Sequence, residues 1–190
     1  MNYKDSSARL DEYRRQVADL RRKMREARAA AEPEAVKDYE FRRVGGTVRL
    51  SELFGDKDTL IVVHNMGTSC SYCTLWADGF NGVYEHLRSR AAFVVSSPDP
   101  PEQQQAFAAS RGWRFPMVSV EGSSFAEDMG YWHHDRAMPG ISVFKRAGDT
   151  IMRVADTSFE PGDDFCTVWH VFDLIPEGVA GWKPKFRYAS

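Results

Sequence analysis

Residues 7–31 contain neither glycine nor proline, and their larger apolar side chains and in-step alanines fall at Leu10, Tyr13, Val17, Leu20, Met24, Ala27 and Ala31. Steps of three and four predict one amphipathic helix with a heptad-like seam. Ser7 is placed to cap its start, and Glu32-Pro33 to end it, because the residue before proline avoids helical backbone. Beyond Pro33 the period changes. Residues 39–43 and 47–50, separated by Gly45-Gly46, read as two short strands around a turn. Residues 51–54 form a helical turn closed by Gly55, and 59–64 are apolar and β-branched, as expected of a strand buried on both faces.

A helix is predicted from 70 to 88, with Gly79 and Gly82 as points where it breaks or kinks. Residues 91–96 make a second buried strand, and 100–111 a helix with proline in its first turn. Residues 113–120 lean towards strand, and 124–130 towards one or two helical turns. Residues 141–146 and 150–155 flank Ala147-Gly148-Asp149 as a hairpin, and 162–175 form a last helix stopped by Pro176. Strands alternating with helices, then a hairpin and a helix, predict an α/β fold with a mixed sheet flanked by helices. The expected organisation is an N-terminal amphipathic helical arm (1–37), a domain (38–178) and a C-terminal tail (179–190).

Charge sharpens this division. The chain of 190 residues has 25 Lys+Arg and 27 Asp+Glu. Residues 1–37 hold ten of the basic and seven of the acidic side chains, so a net charge of −2 resolves into +3 on the arm and −5 on the rest. Such a balance gives no overall positive field, and nucleic-acid binding is not expected. Arg21, Arg22, Lys23, Arg25 and Arg28 are interrupted by Glu26 and preceded by Asp19, which favours a solvated helix face over a polyanion site. The seam serves either to form a homodimer with a second copy or to pack on its own domain. No apolar run reaches the length of a membrane span, and no secretory signal opens the chain, so a cytoplasmic protein without a membrane partner is expected.

Three cysteines are too few to build a fold from disulfides. Their positions matter more. Cys70-Ser71-Tyr72-Cys73 follows a buried strand and opens a helix, where free N–H groups and the helix dipole stabilise a thiolate. Cys70 is then the nucleophile. Cys73, one turn on, can attack a mixed disulfide formed at Cys70. The remaining thiol, Cys166, sits among Phe165, Val168, Trp169 and Phe172 and reads as a small core residue in mid-helix. Met138-Pro139-Gly140 precedes the hairpin, and a proline opening a strand exposes free backbone if its bond is cis.

Taken together, these motifs resemble the thioredoxin superfamily and, more narrowly, the bacterial proteins catalogued as domain of unknown function 899. The resemblance rests on the stretch from Gly67 through Cys70, Cys73 and Trp76 to Phe80, on Gly112-Trp113-Arg114-Phe115-Pro116, and on Pro139-Gly140-Ile141-Ser142-Val143-Phe144. It implies a thiol–disulfide oxidoreductase with Cys70 as nucleophile, Cys73 as resolving thiol, Pro139 as a cis-proline facing them and Met138 as a substrate contact. Its substrate would be a protein or small-molecule disulfide, and no cofactor is expected. Ser71-Tyr72 stands where general thioredoxins commonly have Gly-Pro. The peroxiredoxin pattern is absent: Gly67 lies three before Cys70 and Val63 seven before it, which disfavours peroxide reduction through that arrangement.

An alternative is a copper or zinc site built from Cys70, Cys73 and a histidine, with His64 ending the cysteine-bearing strand and His133 and His134 preceding Pro139. The plainer reading makes His64 a hydrogen-bonded structural residue and the other two solvated. A further alternative is a binding or scaffold protein with inert thiols. No Gly-x-Gly-x-x-Gly, Walker loop, His-Glu-x-x-His or Gly-x-Ser-x-Gly occurs, so nucleotide, zinc-protease and serine-hydrolase chemistries have no support.

Overall fold

The computed structural model describes residues 2–189, and the chain divides into two compact units, Met1–Glu34 and Ala35–Ser190. The first unit is a single helix, α1 (Tyr3–Ala30). It starts earlier than the apolar pattern indicates because Asn2, not Ser7, is the cap: its Oδ1 accepts from the Asp5 N–H at 2.9 Å. Extended backbone at Ala31 ends it, two residues before Pro33. Leu10, Tyr13, Val17, Leu20 and Met24 are all about half exposed. Around them run surface ion pairs, Arg14 to Asp11, Arg15 to Glu12, and Arg22 to both Asp19 and Glu26. Such exposed pairs contribute only about 0.3–0.5 kcal/mol each, so packing against something else is what would fix this helix.

The second unit is built on eight strands: β1 (Glu34–Val36, which starts on the last residue of the first unit), β2 (Glu40–Arg43), β3 (Gly46–Arg49), β4 (Thr59–His64), β5 (Ala92–Ser97), β6 (Met117–Ser119), β9 (Gly140–Ala147) and β10 (Thr150–Ser158). Two further short strands, β7 (Trp132–His133) and β8 (Arg136–Ala137), pair only with each other. The order across the large sheet is β1-β10-β9-β4-β5-β6-β2-β3. β4 and β5 run parallel, as do β5 and β6, whereas β9 lies antiparallel to β4 and hairpins into β10. The helices are α2 (Ser71–Arg90), α3 (Pro101–Arg111), α4 (Phe125–Asp128) and α5 (Thr167–Phe172).

Alternation along β4 explains its unbroken apolar run. Leu60 and Val62 point into a core with Val94, Phe125, Tyr131 and Phe144, while Val63 on the other face packs with Trp76, Ala77, Phe80 and Phe93. The α2 face therefore carries the cysteines, and the opposite face receives His64.

Three expectations need correction. α2 passes through Gly79 and Gly82 without a break, and a side chain on either would meet nothing within 4 Å. α5 is much shorter than 162–175, because Asp163 accepts from the Glu160 and Phe165 N–H groups and from Trp76 Nε1, tying that segment into a loop. Cys166 is consequently the N-cap of α5, not a mid-helix residue, though it is buried as expected. Third, the β7–β8 hairpin lies where the local pattern indicates only loop. His134 and Asp135 form its two-residue turn with φ of 50° and 59°, the positive pair of a type I′ turn.

Candidate functional site

β4 ends at His64 and the chain enters a loop, 65–69, before α2. Asn65 is buried, its N–H bonded to Ser96 O, and its Oδ1 accepts from the Gly67 N–H at 2.8 Å. Gly67 turns the chain with φ +107°, a conformation side chains resist, and its carbonyl accepts from the Cys70 N–H at 3.1 Å. Cys70 then sits as the N-cap of α2 in extended conformation, and its Sγ accepts from the Cys73 N–H at 3.1 Å. Thr74 secures the same turn by donating its N–H and its hydroxyl to Cys70 O.

The two thiols live in different surroundings. Cys70 is half-buried, Cys73 is 2% exposed, and all three cysteines are free. A hydrogen bond from the Cys73 thiol, helped by the Cys73 and Tyr72 N–H groups, lowers the Cys70 pKa to about 7 despite partial burial. The same hydrogen bond, burial and the neighbouring Cys70 charge push Cys73 far up. Only the Met66 N–H, 3.4 Å from Cys73 Sγ, acts the other way to any extent beyond its own backbone. Near neutral pH Cys70 thus stands close to its ionisation midpoint while the shielded Cys73, a helical turn on, keeps its proton, an asymmetry suited to thiol exchange. Cys166 is raised by burial and takes no part in it.

Pro139 immediately precedes β9, whose Gly140 pairs with His64 at the end of β4. Pro139 O accepts from the Phe159 N–H and the Met138 N–H donates to Tyr131 O, so both expected contact residues are held by backbone bonds to segments other than the thiol loop. Met138 is exposed. The bond before Pro139 is trans, because no cis peptide occurs among the described residues, so the cis-proline expected from the resemblance is absent. Gly140 answers a packing need: a Cβ there would lie 2.1 Å from Tyr131 Cε1 and 2.7 Å from Thr157 O.

His64 turns away from the cysteines. Its ring stacks on Tyr131 with centroids 3.8 Å apart, its Nε2 is hydrogen-bonded with Ser142 Oγ at 2.9 Å, and burial, then Arg153, lowers its pKa to about 3. His133 and His134 are exposed on the β7–β8 hairpin. No cluster of three His, Cys, Asp or Glu fit to hold a metal forms among the described residues, so the set Cys70, Cys73, His64, His133 and His134 is not brought together.

Sequence reasoning missed Asp99, which contacts the thiol loop directly. Its carboxylate accepts from the Thr68 N–H at 2.9 Å and the Thr68 hydroxyl at 3.3 Å. One signal was available: Asp99 follows β5, the parallel neighbour of β4, and ligand and catalytic groups gather at the carboxyl ends of such strands. Tyr72, between the cysteines, stacks on buried Trp169 at 6.2 Å, a contact no local pattern announces.

The family described as "Bacterial protein of unknown function (DUF899)" matches residues 7–186. No curated protein matches the chain. Among solved structures it is similar to peroxidoxin BcpB from Mycobacterium tuberculosis, with 23% identity, a TM-score of 0.56 and coverage of 66% of this chain and 84% of that one. It is also similar to reduced Prx3 from Vibrio vulnificus, at 10% identity and TM-score 0.58, covering 70% and 89%. Peroxiredoxin Q from Xanthomonas campestris follows at 18% identity and TM-score 0.53, covering 63% and 78%. At these identities the likeness establishes a thioredoxin-like fold, and no helix among the described residues is long and apolar enough to cross a membrane.

Proposed function

The chain belongs to the DUF899 family of bacterial proteins, and from that premise we propose that it is a thiol–disulfide oxidoreductase working through Cys70 and Cys73. One observation carries the reading: a half-buried Cys70 sulfur at the N-terminus of α2, 3.1 Å from the Cys73 N–H, with its pKa lowered to about 7. Cys70 thiolate attacks one sulfur of a substrate disulfide, and the other sulfur leaves as thiolate. Cys73 then loses its proton and attacks Cys70 Sγ in the mixed disulfide, which releases the second substrate thiol and leaves a Cys70–Cys73 disulfide. A cellular dithiol returns the pair to its reduced form. Met138 and Pro139 contact the substrate, which is a protein or small-molecule disulfide. Turnover of a model disulfide should vanish in Cys70→Ser, and Cys73→Ser should accumulate a mixed disulfide visible as added mass. Full activity in Cys70→Ser refutes the assignment.

A second reading is thiol peroxidase, favoured by the peroxiredoxin names of the similar folds. Peroxide would oxidise Cys70 to a sulfenic acid, and Cys73 would condense with it, releasing water. Gly67 offers no hydroxyl at the position three before Cys70, so the disulfide reading is preferred. Peroxide consumption faster than disulfide exchange would reverse that order. For α1 we propose self-association of two copies through the half-exposed seam.

A further inference from the structure

Asp99 lies between Pro98 and Pro100, so its backbone is confined before any side chain acts. Its carboxylate accepts four hydrogen bonds: from the Thr68 N–H at 2.9 Å, the Thr68 hydroxyl at 3.3 Å, the Ser97 hydroxyl at 3.0 Å and Gln103 Nε2 at 3.1 Å. Gln103 Nε2 also donates to Thr68 Oγ1 at 2.5 Å. Buried Gln104 anchors the far side of this cluster by donating to Ser97 Oγ, Ser97 O and Val118 O. An acidic side chain on the end of β5 is thereby fastened to the sheet and grips the loop that follows β4. On the other side Gly67 stands so close that a Cβ would be 3.0 Å from both carboxylate oxygens. From this gripped loop, Gly67 O receives the Cys70 N–H and the Met66 N–H reaches Cys73 Sγ.

We infer that Asp99 is a positioning residue for the thiol pair: through Gly67 and Thr68 its carboxylate fixes the loop backbone that presents Cys70 and covers Cys73. All four of its partners donate, so the residue must be purely an acceptor. Asparagine has the same shape but turns an NH₂ towards donors, which pushes the loop away. Loosening the loop releases the Cys70 N–H from Gly67 and weakens the cap geometry that brings the Cys73 N–H onto Cys70 Sγ. A carboxylate acting only as a nearby negative charge would have the opposite effect, since removing it would favour the thiolate. The inference rests on the thiol-exchange reading for its purpose but not for its measurement.

The test compares full-length wild type, Asp99→Asn and Thr68→Ser in the reduced state. The Cys70 thiolate midpoint is followed by absorbance at 240 nm, and alkylation by iodoacetamide at pH 7 is assigned to Cys70 by peptide mass mapping. In Asp99→Asn the midpoint rises and alkylation slows by about fivefold, the scale of weakening one hydrogen bond to a charged sulfur. Thr68→Ser, which keeps both donors, behaves as wild type. An unchanged or lowered midpoint in folded Asp99→Asn overturns the inference. Should that variant not fold, Gly67→Ala, which crowds the same carboxylate, is expected to raise the midpoint, and an unmoved midpoint there overturns it equally. Disulfide turnover is measured in parallel. A wild type without turnover removes the exchange function but leaves the alkylation comparison to decide the role of Asp99.

Discussion

The largest influence lowering the pKa of Cys70 is the hydrogen bond from the Cys73 thiol. Replacing Cys73 with alanine removes that donor while leaving the Cys73 and Tyr72 N–H groups in place. A hydrogen bond to a charged acceptor contributes about 1.5–3 kcal/mol, and one pH unit corresponds to about 1.4 kcal/mol, so the Cys70 midpoint should rise by about one to two pH units. Starting from about 7, the thiolate fraction at pH 7 falls from roughly half to between about one in ten and one in a hundred. Alkylation of Cys70 by iodoacetamide at pH 7 should slow by about 5- to 50-fold. Cys73→Ser supplies a hydroxyl donor and should recover part of this loss. The pair of variants separates the donor from the bulk of the side chain. The assay is a pH series of alkylation rates in the presence of a phosphine reductant, with Cys73→Ala, Cys73→Ser and wild type side by side. A Cys73→Ala midpoint equal to that of wild type refutes the argument, because the backbone N–H groups alone would then account for the thiolate.

His64 makes stability depend on pH in a defined window. Its folded pKa, about 3, is below the unfolded 6.5, so the neutral ring contributes stability that is complete above pH 6.5 and is lost progressively as pH falls towards 3. Between pH 7 and 5 urea unfolding should show wild type losing about 2 kcal/mol more than His64→Asn, and parallel curves would contradict the burial argument. Gly79→Ala and Gly82→Ala should each raise stability by about 0.5–1 kcal/mol, since both sites are exposed, helical and open around the missing Cβ; destabilisation would show that α2 needs a weak point there. The charged positions flanking the α1 seam, Arg9, Arg14, Arg21, Lys23 and Arg28, are all basic. Self-association through that seam should therefore strengthen between about 20 mM and 500 mM salt by light scattering, and dissociation on adding salt would point to an acidic partner surface instead.

The parts of this fold legible in the sequence are those set by local pattern. The run from Thr59 to His64 is bounded correctly because both of its faces are covered, and the cysteine helix is found because strand, turn and helix follow one another without ambiguity. What stayed hidden depends on distant partners. Asp163 breaks the expected last helix by binding Trp76, 87 residues away, and no window around residue 163 contains that information. The hairpin at Trp132 and Ala137 turns on His-Asp rather than on the Asn-Gly or Asp-Gly that normally signals positive φ. At the site, the placement of Cys70 at the start of a helix, with Cys73 one turn on, follows from spacing. The plainer reading of His64 as a hydrogen-bonded structural residue holds, and alternation along β4 is enough to turn it from the cysteines. Asp99 escaped notice because a lone acid between prolines looks like ordinary turn chemistry until the sheet sets it beside Thr68.

The unequal protection of the two thiols has an electrochemical consequence. A dithiol that releases both protons on oxidation has a potential that falls by about 60 mV per pH unit, since a tenfold change in a two-electron equilibrium is about 30 mV. Once Cys70 is already ionised, above about pH 7, only the Cys73 proton remains to be released. The slope then halves to about 30 mV per pH unit and stays there for as long as Cys73 remains protonated. A buried, strongly raised Cys73 therefore makes the driving force of a Cys70–Cys73 couple less sensitive to alkalinity, and the same burial that shields the Cys73 sulfur from stray oxidants sets the width of that plateau.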